Sequence, residues 1–205
     1  MIIFMFVCIG FLYQLQNKEK QIQEIIGHYE NVRHRIYQDL TDEFKPEERN
    51  GWGVQIDDTE LRVIFIAPSV FFDVGSSEVK PAFQQVLIDF FPRYVKVLEK
   101  YSDDIVEVRI EGNASVEVNE NKNSNVDYFR NMQLSQQRAF NVLQYVFTLG
   151  AMQAPEKRQW LVDKLRANGA SFSKANIEKT GISRCVEISI RRNAEKELNT
   201  INARH

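Results

Sequence analysis

The stretch NMQLSQQRA, from Asn131 to Ala139, runs on into FNVLQYVF and has the apolar spacing of an amphipathic helix. The apolar positions of this pattern are Leu134, Val142, Leu143, Val146 and Phe147. Arg138 falls where the pattern predicts the early turns of the helix, and the positive end of the helix dipole disfavours a cation there. The arginine is therefore a solvated surface residue, a partner of Glu111, or a group that faces an anion.

Composition sets the class of protein. The chain has 205 residues, of which 43% are hydrophobic and 26% charged, which suits one globular domain with an additional segment. The formal net charge of -2 argues against a nucleic-acid surface. Because the cysteines, Cys8 and Cys185, are far apart and only three histidines exist, we expect no disulfide, no metal and no cofactor.

The first fifteen residues, MIIFMFVCIGFLYQL, contain no charge. A membrane-spanning helix needs about 20 apolar residues, and fifteen residues cover only about 22 Å. A signal peptide would have a basic start and a small-residue cleavage site, and neither is visible. A buried helix of a soluble domain is the second alternative. The pattern favours a third, a transmembrane helix over residues 1–15 whose beginning lies upstream of Met1.

Residues 16–43 have a continuous helical pattern. Its apolar seam, counted from the end of the apolar segment, is Leu15, Ile22, Ile25, Tyr29, Val32 and Ile36. This spacing predicts a short coiled-coil stalk that forms a homodimer. The alternative is a single amphipathic helix that lies on its own domain. FKPEERNGWG, residues 44–53, has turn-forming residues and is predicted to be a linker.

Residues 54–192 alternate between strand and helix patterns. The predicted strands are Val54–Ile56 and Leu61–Ala67 as a hairpin, a third strand with Val106, Val108 and Ile110 on one face, and Ser183–Arg192. The predicted helices run from Ser76 to Lys100 with a kink at Pro92, through the opening stretch, and from Glu156 to Ala167. The polar segment from Ser115 to Asp127 is predicted to be a loop, and residues 193–205 a flexible tail. The fold class is therefore α/β, a two-layer α+β domain with one mixed sheet and helices on one face.

Three segments together resemble the OmpA-like peptidoglycan-binding domain, which outer-membrane porins, the Pal lipoprotein and flagellar stator proteins of the MotB type share. They are FFDVGSSEVKP (Phe71–Pro81), VRIEGNAS (Val108–Ser115) and NMQLSQQRAFNVLQYV (Asn131–Val146). The resemblance extends from about Trp52 to Arg192 and includes SRCVEISI in the last strand.

The resemblance implies a function for Arg138. In this family the equivalent arginine binds a carboxylate of the peptidoglycan stem peptide, usually on diaminopimelate, and an arginine fork can hold a carboxylate by two parallel hydrogen bonds. Backbone N–H groups at the same helix N-terminus would face the same anion, and Asn131 is expected to cap that terminus. Leu134 is more typical of a core position. The implied peptidoglycan-binding residues are Arg138, Asn131, Ser115, Asn113, Leu134 and Ser135.

One position departs from the family pattern. The family commonly has Gly-His-Thr-Asp at the end of the strand, and its aspartate binds the amine of diaminopimelate. Here the segment is Gly112-Asn113-Ala114-Ser115, so the aspartate is replaced by a serine that accepts a hydrogen bond but has no charge. Glu111 or Glu117 is an alternative partner for the amine.

The order of apolar segment, stalk and domain resembles the B subunits of stator complexes. The Asn-rich loop and the serine at 115 narrow the resemblance to the B subunits of Zorya anti-phage defence systems. This implies a single-pass protein of the bacterial inner membrane, with a periplasmic C-terminal domain that binds peptidoglycan beside polytopic MotA-like A subunits. The ion-carrying aspartate of stator families would lie upstream of Met1, because the first aspartate here is Asp39.

Other functions remain as alternatives. A passive wall tether of the OmpA or Pal type and a flagellar MotB-type subunit have the same domain. An enzyme is disfavoured, because no Ser/His/Asp, Cys/His or metal-ligand constellation is visible: His28 and His34 fall in the predicted stalk and His205 in the tail.

Overall fold

The computed structural model describes residues 2–66, 71–113, 125–171 and 185–193. The chain divides into two units, one of residues 1–35 with 193–205 and the other of residues 36–192. Helix α1 spans Ile2–Glu43, so its last two turns belong to the second unit. The predicted tail lies almost wholly outside the described residues.

In the first unit, the opening turns of α1 expose large apolar side chains. They include Ile3, Phe4, Phe6, Val7, Phe11 and Leu12. Within the described residues, no helix combines the length and the apolarity that a membrane crossing requires. Leu15 and Ile22 of the predicted seam are 47% and 52% exposed. The coiled coil stays a prediction.

The second unit contains one five-stranded sheet in the order β1-β2-β5-β3-β4. The strands are β1 Val54–Asp57, β2 Arg62–Phe65, β3 Ile105–Asn113, β4 Leu165–Ser171 and β5 Val186–Arg192. β3 and β4 pair in parallel, whereas the other neighbouring strands are antiparallel. The predicted mixed sheet and its first hairpin are confirmed.

The helices that follow α1 are α2 Pro46–Trp52, α3 Pro81–Glu99, α4 Asn125–Thr148 and α5 Pro155–Lys164, with a 3₁₀ turn at Gly150–Met152. α3 covers one face of the sheet, where the rings of Phe83 and Phe90 lie 5.2 and 5.4 Å from that of Phe65 in β2. α4 packs on the same face against Gly112 in β3. The predicted two-layer arrangement is confirmed.

α3 begins later than predicted, at Pro81 rather than at Ser76. A residue before proline is disfavoured in the helical region, and Lys80 is extended at φ -66° and ψ 152°. Val79 is buried, but it precedes the helix. Val106 was expected beside Val108 on the inner face; a bulge after Ile105 instead leaves Val106 43% exposed.

The third predicted helix ends earlier than expected, at Lys164 rather than at Ala167. The residues that follow, LRANGAS, form β4, which the sequence analysis missed. This segment is rich in small and polar residues that have weak strand propensity. The segment nevertheless forms a strand because it pairs with β3, and its small side chains leave room for the neighbouring α4.

Residues 36–53, predicted as the end of the stalk and a linker, pack into the second unit. Ile36, Leu40 and Phe44 are fully buried, and the Phe44 ring stacks on Phe90 at 4.5 Å. Arg93 of α3 adds ion pairs to this segment. The turn-forming residues of this segment form α2, and Gly53 caps its C-terminus with a positive φ of 65°.

Candidate functional site

α4 begins at Asn125, not near Asn131, and this changes the position of Arg138 in the helix. Arg138 lies thirteen positions after Asn125, which is about 20 Å along the helix at about 1.5 Å per residue. The helix dipole acts mainly within the first turn. The prediction that Arg138 and the N–H groups of the helix N-terminus bind the same anion is therefore wrong. Asn131 lies inside the helix, so its predicted capping role is wrong too.

Arg138 is one of the largest fully buried side chains of the chain, with only 1% of it exposed. Its guanidinium donates hydrogen bonds to three backbone carbonyls: Nε to Ser76 at 2.9 Å, Nη1 to Asn113 at 3.2 Å and Nη2 to Asp73 at 3.4 Å. The guanidinium carbon also lies 5.1 Å from the centre of the Phe72 ring. The alternative that Arg138 is a solvated surface residue is therefore wrong. Its hydrogen bonds join α4 to β3 and to the segment before α3.

Small residues let α4 lie close to the sheet, so that Arg138 can reach the Asn113 carbonyl. A Cβ atom on Gly169 in β4 would stand 2.7 Å from the backbone nitrogen of Gln136, and one on Gly112 in β3 would overlap the Ser135 carbonyl. Ser135 itself is fully buried, and its hydroxyl donates to the Met132 carbonyl at 2.8 Å. Ser135 therefore lies at the contact that sets the distance between α4 and the sheet.

Residues Asp73 to Ser77, called the strap below, lie against Arg138. The strap contains a tight turn, in which the Ser76 N–H donates to the Asp73 carbonyl at 3.1 Å and Gly75 has a positive φ of 70°. Asn141 donates from Nδ2 to the Ser77 carbonyl at 2.7 Å. Asn141 is not among the predicted site residues, although it lies three residues after Arg138 on the same helix face.

Asn113 connects Arg138 to a polar cluster on the other face of the sheet. Its carbonyl accepts from Arg138, while its Nδ2 donates to Glu187 at 3.0 Å and to the Cys185 sulfur at 3.2 Å. Glu187 also accepts from Arg62 at 3.2 Å. Burial, reinforced by the Glu187 carboxylate, raises the pKa of Cys185 to about 12, so the thiol stays protonated at neutral pH.

The structure thus brings Arg138, Ser135 and Asn113 together, and Leu134 lies half-buried on α4. Ser115 and Glu117 lie outside the described residues. Glu111 is buried, is the cross-strand partner of Glu187, and accepts from the Ser189 hydroxyl at 3.4 Å. Cys8 and Cys185 are both free. Within the described ranges, no three His, Cys, Asp or Glu side chains group as metal ligands.

The sheet order, the two-layer packing and an arginine motif set against the end of β3 fit the OmpA-like class of domain that the sequence resembles. No family model matches the chain. The chain is 38% identical over 206 residues to the Zorya protein ZorB of Escherichia coli (strain Crooks), covering 98% of this chain and 86% of that protein. The chain belongs to the ZorB family of Zorya proteins.

Several solved structures are also similar to the chain. The cell wall anchor of the type VI secretion system of Pseudomonas aeruginosa is 21% identical, with a TM-score of 0.47 over 75% of this chain and 97% of that one. The OmpA-like domain of FopA1 from Francisella tularensis is 18% identical, with a TM-score of 0.42 over 68% and 81%. A periplasmic domain of Helicobacter pylori MotB is 14% identical, with a TM-score of 0.44 over 73% and 94%.

Proposed function

We propose that this chain is a peptidoglycan-binding, membrane-anchored stator-type subunit of an ion-driven motor complex that acts in anti-phage defence. Membership of the ZorB family supports the role in defence. The observation that carries the binding proposal is the placement of Arg138, whose Nε and Nη2 groups both point at the strap between β2 and α3.

The chemistry of this placement suits a carboxylate. The Nε–Nη2 edge of a guanidinium presents two parallel N–H groups, and a carboxylate accepts both. Such charge-assisted bonds are about twice as strong as bonds to neutral acceptors. The proposed ligand group is the carboxylate of diaminopimelate in the stem peptide. Ser115 stands where the family has its aspartate, and it is proposed to accept a hydrogen bond from the ligand's ammonium group.

The proposed assembly places two copies of the chain beside polytopic MotA-like subunits in the inner membrane, with the sheet-containing unit in the periplasm. The apolar side chains that the first turns of α1 expose support contact with lipid or with partner helices. Co-purification from membranes tests the motor role against that of a passive tether. A multi-span partner is expected, and its absence would favour the tether.

Sedimentation with purified sacculi tests the binding role. Because Arg138 is buried, its substitution also costs stability, so binding must be measured where circular dichroism shows a folded protein. Arg138→Lys keeps the charge but removes the fork, and we expect sedimentation to fall at least about tenfold, the effect of about 1.4 kcal/mol. Soluble muropeptides that contain diaminopimelate should compete with sacculi for the wild-type protein.

Arg158→Lys is the matched control. Arg158 also lies over an aromatic ring, that of Phe147 at 6.0 Å, but it is exposed on α5. This variant should sediment like the wild type. A folded Arg138→Lys protein that sediments as well as the control would contradict the proposed function.

A further inference from the structure

The carboxylate-binding edge of Arg138 is occupied by the chain itself. The carbonyls of Ser76 and Asp73 accept from Nε and Nη2 at 2.9 and 3.4 Å, the two positions that the oxygens of a carboxylate would take. With 1% of its side chain exposed, Arg138 cannot receive a ligand while these contacts persist. A ligand must therefore displace the strap.

Hydrogen bonds from α4 hold the strap at Asp73, Ser76 and Ser77. Buried side chains anchor the chain on both sides of it, at Phe72 and at Val79, whereas Asp73, Val74 and Gly75 are exposed. Between these anchors, Asn141 donates to the Ser77 carbonyl at 2.7 Å and reaches its hydroxyl at 3.3 Å.

The side chain of Asn141 is itself oriented by its own helix. Gln137 donates from Nε2 to the Asn141 Oδ1 at 2.8 Å, which leaves the Asn141 amide nitrogen directed at the strap. Arg138 and Asn141 are therefore two neighbouring groups of α4 that hold one segment, the first through its fork and the second through its amide.

We propose that the strap is a lid over the carboxylate site and that Asn141 is a positioning residue that sets how often the lid opens. The inference rests on the proposed function. The apparent dissociation constant of a ligand equals its intrinsic value divided by the fraction of binding-competent protein. Weakening the Asn141 contact raises the open fraction, so it strengthens apparent binding, whereas loss of a direct ligand contact would weaken it.

The test is calorimetric titration of the whole 205-residue chain in detergent with a diaminopimelate-containing tripeptide muropeptide. Asn141→Ala should bind about two- to tenfold more tightly than the wild type, the factor that one net hydrogen bond represents. Asn141→Asp places an acceptor opposite the Ser77 carbonyl and should act in the same direction. Equal or weaker binding by both variants would overturn the lid.

Ser77→Ala is the matched control, because it keeps the backbone carbonyl that Asn141 uses and removes only the more distant hydroxyl. It should bind within about twofold of the wild type, since the stronger hydrogen bond is intact.

Hydrogen exchange without ligand gives a second readout. The Ser76 amide, which bonds to Asp73 within the strap, should exchange faster in Asn141→Ala, while the Val108 amide in β3 should stay protected and show that the fold is intact. Unchanged exchange at Ser76 also overturns the lid. If the wild type fails to bind the muropeptide, the proposed function fails; if the wild type binds and neither Asn141 variant binds more tightly, only the lid fails.

Discussion

Gly112 in β3 faces the Ser135 carbonyl of α4 so closely that even a methyl group on the glycine would overlap that oxygen. This contact fixes the height of α4 above the sheet. It thereby fixes how far Arg138 must reach to the Asn113 carbonyl. The helix cannot retreat without lengthening that hydrogen bond.

The Gly112→Ala substitution should lower the free energy of unfolding by about 3 kcal/mol or more, the upper end of the range for overpacking. The added methyl group would overlap backbone atoms of α4, which cannot move aside as a flexible side chain can. Urea denaturation measures the loss. Gly51→Ala in α2 is the control, since nothing lies within 4 Å of a Cβ there, and it should be neutral or slightly stabilising. Equal stability of the two variants would show that α4 shifts freely over β3.

The burial of Phe44 predicts where the folded unit begins. Phe44→Ala should cost about 3–5 kcal/mol, the range for a fully buried phenylalanine. Phe140→Ala on the 43% exposed face of α4 should cost far less. A protein that begins at residue 36 should unfold with the stability of the intact unit, whereas one that begins at residue 54 should be strongly destabilised. Similar denaturation midpoints for the two proteins would instead support the prediction that residues 44–53 are a linker.

The ion pair between Arg93 and Glu48 predicts a pH dependence. Hydrogen bonds from Arg93 at 2.8 and 3.1 Å hold the pKa of Glu48 below its ordinary value of 4.5. A lowered pKa in the folded state stabilises the protein above about pH 4.5, and this contribution is lost as the pH falls through the folded-state value. Glu48→Gln should therefore cost up to about 1 kcal/mol at pH 7, a modest amount because the pair is partly exposed.

The deficit of Glu48→Gln relative to the wild type should shrink as the pH falls below 4.5 and through the lowered pKa of Glu48, as followed by thermal unfolding across the pH range. A deficit that is the same at pH 7 and pH 3 would assign the loss to packing rather than to charge. Glu47→Gln, at an exposed neighbouring position of α2, serves as the control and should show no such trend.

The early part of the predicted α1 seam, where Leu15 and Ile22 are exposed, predicts self-association. In a Cys8→Ser background, a cysteine introduced at Ile22 should cross-link to a second copy in membranes, because the predicted seam faces its symmetry mate in a parallel coiled coil. Gln23→Cys, about 100° away around the helix, should cross-link much less. Equal yields at the two positions would favour the single amphipathic helix.

The sequence predicted the elements that depend on periodic apolar residues. The hairpin of β1 and β2, the inner face of β3 at Val108 and Ile110, and the buried side of α4 all follow from that spacing. The sequence also marked Arg138 as unusual, but the explanation from the helix dipole was wrong. The arginine is unusual because it is buried, not because it lies near a helix end.

The elements that the sequence could not predict depend on tertiary contacts. β4 has little apolar periodicity and exists because β3 offers it a parallel partner. The apolar residues Val126 and Phe129 in the first turns of α4 are exposed. The pattern of buried apolar residues therefore does not mark where the helix begins. The role of Asn141 depends on a strap more than sixty residues earlier, a separation that no local pattern records.

The burial of Arg138 also bears on ionic strength. Mobile ions screen charges at a protein surface over about 8–10 Å at physiological salt, but they act much less on charges held away from water. A surface lysine patch would release an anionic polymer when salt rises. The proposed wall contact uses a guanidinium from a buried site, which is 1% exposed while the strap covers it, so its strength should depend less on salt than that of a surface patch.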